Sequence, residues 1–254
     1  MKRKIGLGLA LGLGLVACGG GGEDGADARA RADAPGIVDA GARDDAAAAD
    51  APPAAAGFGV ITGCPRLDPE LTLPTPSSFT SHIAFEHEFD PEVDVGALTP
   101  GGQEILSDGN AGGSSLESEI FAYELFARCD GATLLKTETE ITYDGPGKIT
   151  DLLVEQDGIK LGVSVTRAVA FPFDDPYTEA QAAELLERKL GDILLSSGHV
   201  SAADRWTKQA LSVLAYAPGH ADALAAAYAT LSDEVRADTI LWVIVTDGTD
   251  AFVY

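Results

Sequence analysis

The chain has 254 residues and a formal net charge of −23, with 17 Lys and Arg against 40 Asp and Glu. That excess repels polyanions, so nucleic acid and anionic lipid headgroups are poor partners, and a cationic partner or plain solubility fits better. The length allows one domain with a substantial core, and no internal repeat is visible.

Residues 1–17 open on Lys2, Arg3 and Lys4 and continue as a Gly/Leu/Ala run too short to span a bilayer as a mature helix, the pattern of an export signal. Leu15-Val16-Ala17-Cys18 then matches the bacterial lipobox at all four positions, and here the chain resembles a bacterial lipoprotein precursor. The resemblance implies cleavage after Ala17 and acylation of Cys18, palmitate included, and several acyl chains hold a membrane far better than one. It implies a lipid-anchored place in the cell envelope, and Gly19 after Cys18 points to the outer membrane rather than the inner one. An ordinary secretory signal with a chance cysteine is the other reading. Loss of the signal removes three bases, leaving 14 against 40 acids, a net charge of −26.

Cys64 and Cys129 remain, and in an oxidising compartment they either form a disulfide or stay as two buried thiols. The bond would contribute roughly 3 to 4 kcal/mol by closing a long loop. Residues 18–57 are nearly all Gly, Ala, Asp, Arg and Pro, which predicts a disordered tether with a reach of roughly 30 to 40 Å. Residues 58–115 carry apolar side chains but are broken by Pro65, Pro69, Pro74, Pro76, Pro91 and Pro100, and read as an irregular arm. Within it, His82 to Phe89 alternates as one strand. His82, Glu86 and Glu88 share a face that reads as solvated, since no further metal-ligand cluster lies near. Ser107 to Gly113 is rich in oxygen ligands without the spacing of a calcium loop.

Residues 116–254 read as one globular α/β (α+β) domain. A capping box, Ser114 with Glu117, opens a helix to about Arg128. Thr133 to Tyr143 reads as a strand. Lys148 to Phe171 reads as two strands about an Asp157-Gly158 turn, with Leu161, Val163, Val165 and Val169 on one face. Asp151 stands out as a carboxylate at an apolar strand, where a charge must be solvated, paired or metal-bound. A second capping box, Thr178 with Gln181, opens a long helix to Ser197-Gly198. Further helices are predicted from Ser201 through Trp206, Ala210, Leu214 and Tyr216, and from Ala221 to Leu231. Thr239 to Thr246 is a buried central strand, followed by a short strand at Phe252 to Tyr254.

Helix, three-stranded meander, three helices and a final strand are similar to the core of the restriction-endonuclease-like, PD-(D/E)XK, superfamily over Ser114 to Tyr254. The resemblance implies a metal-dependent nuclease or phosphodiesterase, with Asp151 as the acid of the second strand and Glu119 as the helix acid. Together they would hold Mg or Mn beside a phosphodiester. The third strand departs from the family: Val163-Ser164-Val165 and Ser164-Val165-Thr166 offer neither acid nor lysine, so the cation would come from Lys160, Arg167 or Lys189. A descendant binding an anionic ligand through Arg167, Arg188 and Lys189 is a third possibility. Outside the resemblance no cofactor motif is present, and no nucleophile elbow, phosphate loop, His-Glu-x-x-His or Cys-x-x-Cys occurs. The sequence therefore reads first as a non-enzymatic, lipid-anchored envelope protein that meets the membrane through Cys18 and binds an envelope protein partner.

Overall fold

A computed structural model describes residues 54–173 and 175–254. The export signal, the lipobox with Cys18 and the tether up to residue 53 lie outside the described residues. In chain order the elements are β1 (Ala54–Ala56), β2 (Gly59–Thr62), β3 (Ser77–Phe85), α1 (Pro91–Asp94), α2 (Pro100–Asp108), α3 (Leu116–Asp130) and β4 (Thr133–Thr137). There follow β5 (Leu152–Gln156), β6 (Ile159–Ala168), α4 (Glu179–His199), β7 (Lys208–Ala215), α5 (Pro218–Thr230), α6 (Asp233–Arg236) and β8 (Ile240–Gly248). The protein is mixed α/β, as its sequence indicates.

The eight strands of the described residues form one sheet in the order β1-β2-β3-β8-β7-β6-β5-β4. The meander β4, β5 and β6 is antiparallel, and β6, β7, β8 and β3 run parallel. Alternation along β7 shows how the layers are built. Ala210 and Leu214 join the core under α3 with Phe121, Phe126 and Trp242, whereas Leu211, Val213 and Ala215 pack against α4 and α5. The sheet is thus covered on both faces, and its central strand β8 reads as an unbroken apolar run from Ile240 to Val245.

Several sequence expectations are corrected, among them the strand expected from Thr133 to Tyr143, which ends at Thr137. Residues 58–115 are not an irregular arm: β2, β3, α1 and α2 lie there, and β3 pairs with both β2 and β8. The misleading prolines sit between elements or, as Pro91 and Pro100, in the first turn of a helix, where a missing N–H costs nothing. The tether does not run to residue 57, because Ala54–Ala56 already pairs with β2. The stretch from Ser201 to Tyr216 is not a helix but contains the central strand β7. Trp206, Ala210 and Leu214 fall at helical spacing only by coincidence, since every residue of β7 is buried and periodicity disappears. Phe252 to Tyr254 is no strand either, as Ala251–Val253 forms a 3-10 turn.

Helix ends follow local chemistry. Thr178 and Gln181 form the expected reciprocal capping box of α4. The N-cap of α3 is Ser115 rather than Ser114, and its hydroxyl turns to Glu119 instead of capping the backbone. Gly131 stops α3 in the left-handed conformation at φ 73°.

Candidate functional site

The site begins where two strands part. β5 and β6 pair from Gln156 with Ile159 as far as Leu152 with Val163, but β6 runs on to Ala168. Beyond Val163 no strand among the described residues pairs with its edge on the β5 side, and Asp151 is the residue immediately before β5. Its Oδ2 accepts the Val165 N–H at 2.6 Å and the Ser164 hydroxyl at 3.0 Å. From α4, Lys189 Nζ donates to the Val165 carbonyl at 3.4 Å. The main-chain donor and acceptor of Val165 are therefore both satisfied by side chains where a neighbouring strand would otherwise stand. Burial pushes the Asp151 carboxyl up, and the Val165 N–H, the Lys189 charge and the Ser164 hydroxyl oppose that rise.

Glu119 enters from the first turn of α3 and is buried, not set on a solvated helix face. Its Oε1 accepts the Ser115 hydroxyl at 2.7 Å and the Asn110 amide at 3.5 Å. Burial first, then the charges of Asp151 and Glu138, push its carboxyl up to about 7. Glu138 in turn accepts the Ala111 N–H at 2.7 Å. The structure thus brings Asp151, Glu119 and Lys189 into one neighbourhood.

The other sequence candidates go elsewhere. Arg167 is engaged by the main-chain oxygens of Ser114, Val253 and Tyr254, and Lys160 by the carbonyl of Ala203. Arg188 stands exposed on α4. His82 is exposed on β3, whereas Glu86 and Glu88 lie past the end of that strand. Cys64 and Cys129 are joined by a disulfide, so the two-thiol alternative does not hold. Beside the bridge, the buried Asp130 carboxylate accepts the Leu67 N–H at 2.9 Å and the Gln156 amide, pinning the same loop to the end of α3.

The residues around Asp151 offer Mg or Mn a poorer donor set than the resemblance implies. One oxygen of each carboxylate already accepts two hydrogen bonds, both carboxyls are biased toward the protonated form, and Ser164 stands where the third strand would supply an acid. Among the described residues, three acids whose oxygens lie within 4.8 Å of one another are Glu104, Asp108 and Glu140, all exposed. Sequence reasoning missed that group, because it joins α2 to the turn after β4 and no spacing announces it. Thr137 already donates to Asp108 at 3.1 Å.

A doubly covered mixed sheet with a side-chain-capped strand edge defines the class of the domain. No family model matches the chain, and no solved structure matches it. Over 152 residues it is 37% identical to the AAC-rich mRNA clone AAC4 protein of Dictyostelium discoideum, a match taking in 58% of this chain and 22% of that protein. The chain therefore spans about a fifth of that relative's length. Among the described residues no helix is long and apolar enough to cross a membrane.

Proposed function

We propose that this chain is a lipid-anchored protein of the cell envelope whose α/β domain binds a partner rather than turning over a substrate. The observation that carries the non-enzymatic part is the occupation of Val165: Asp151 and Lys189 are engaged in closing a strand edge. The anchored part rests on the lipobox and Cys18, with the outer membrane as the favoured site. A restriction-endonuclease-like ancestry of α3 to β7 belongs to the same proposal. It is supported by the antiparallel meander β4-β5-β6, followed by α4 and the parallel strand β7.

Calorimetry with Mg or Mn on the purified protein, with Asp151→Ala as control, tests the binding role. The expected result is no heat that depends on Asp151. Micromolar binding abolished by the substitution would sink the proposal and establish a metal site. For the anchor, Cys18→Ser is expected to move the protein from the membrane fraction to the soluble one and to abolish palmitate incorporation. Retention of both would refute it.

A second reading, a divergent metal-dependent nuclease or phosphodiesterase, has one observation in its favour. Glu119 and Asp151 are near enough for the charge of one to raise the pKa of the other, as grouped catalytic carboxylates do. The same calorimetric experiment separates the two readings.

A further inference from the structure

At the carboxyl ends of β6 and β7 the chain builds a run of aromatic rings that the Asp151 site does not use. Phe171 is 66% exposed, although burying such a side chain is worth about 1.5 to 3 kcal/mol. Its ring centre lies 4.9 Å from that of Phe173, which stacks on Tyr216 at 4.8 Å with 26° between the planes. Tyr216 meets Tyr254 edge-on at 5.3 Å, and the Tyr254 hydroxyl is fixed by Thr246 at 2.8 Å. The backing of the platform is therefore held in place, and little order has to be gained on binding. The position is the edge at which α/β sheets present their ligand sites.

Charge selects the occupant. Asp175, whose N–H closes the turn onto the Pro172 carbonyl at 2.9 Å, and Glu179 in the first turn of α4 are exposed, and neither forms an ion pair among the described residues. Arg167, the cation from the end of β6, is held by main-chain oxygens. An exposed ring whose own turn carries the unpaired Asp175, with Glu179 four residues further on, complements a guanidinium, which stacks on aromatic rings and donates hydrogen bonds to carboxylates at once. A nucleobase would also stack, but its phosphates would meet a chain of net charge −23.

We infer that Phe171, Phe173 and Tyr216 form a docking surface for an arginine-bearing segment of a partner protein, with Asp175 and Glu179 as its counter-charges. This deepens the binding role proposed above, and its failure would leave the result of the Asp151 experiment standing.

The test uses the full chain and a fluorescent Arg-Gly repeat peptide, with a Lys-Gly peptide of equal charge as control, read by fluorescence anisotropy. Tighter binding of the arginine peptide is expected, weakened about tenfold by Phe171→Ala without change in thermal stability. The double substitution Asp175→Asn with Glu179→Gln is expected to weaken binding and flatten its salt dependence. No binding, equal affinity for the two peptides, or wild-type affinity in Phe171→Ala would overturn the inference, because bulk acidity would then explain any attraction.

Discussion

Asp151 and Lys189 meet on a single residue: the carboxylate takes the Val165 N–H at 2.6 Å and the ammonium gives a hydrogen bond to the Val165 carbonyl at 3.4 Å. Two side chains thereby complete a ladder that β5 leaves unfinished. An unmet buried N–H costs about 1 to 3 kcal/mol, so Asp151→Ala should lower unfolding stability by that amount. Asp151→Asn keeps an acceptor for Val165 and should cost less. Urea denaturation of the two variants measures the difference, and equal losses would remove the edge-closing role.

Glu119 links stability to pH. The folded protein keeps its proton up to about 7, whereas the unfolded chain releases it near the ordinary 4.5. Between those values the folded state binds more protons, so this group's contribution is fully present below about 4.5 and is lost as pH rises through 7. The loss approaches about 3 kcal/mol. Glu119→Gln retains an acceptor for Ser115 and should melt higher than the wild type at pH 8 and alike near pH 4. Melting curves across that range decide it.

The Cys64–Cys129 bridge spans a sequence separation of 65 residues. Closing such a loop in the unfolded chain is worth about 4 kcal/mol in the chain-entropy account. Cys64→Ser with Cys129→Ser should lower stability by up to that amount, and non-reducing peptide mapping should recover the linked pair from the wild type.

Gly162 on β6 lies against the Trp206 indole. A Cβ there would stand 2.6 Å from the Trp206 ring. Trp206 is also held by the hydrogen bond from its Nε1 to Ser197 at 2.9 Å. Gly162→Ala should cost about 1 to 3 kcal/mol by overpacking and shift tryptophan emission as the ring is displaced. Shifted emission with unchanged stability would show that the ring moves aside freely.

The elements that the sequence determined by itself are those whose signals are local. Asp157-Gly158, the Thr178 and Gln181 capping box and the apolar run of β8 each act through a few neighbouring residues, and each stands where the residues say. Asp151 was legible as an odd carboxylate for the same reason. Tertiary structure alone decided that Lys208–Ala215 is a strand, because burial on both faces erases the period by which strand and helix are told apart. It alone decided that the proline-broken segment before Ser115 completes the sheet, since pairing of β3 with β8 joins Ser77–Phe85 to residues far along the chain. What Asp151 does was also decided there: its partner N–H is left without a strand partner only because β5 and β6 separate after Leu152 and Val163. Register between distant strands is set by the packing of the whole core, and no spacing within one segment records it.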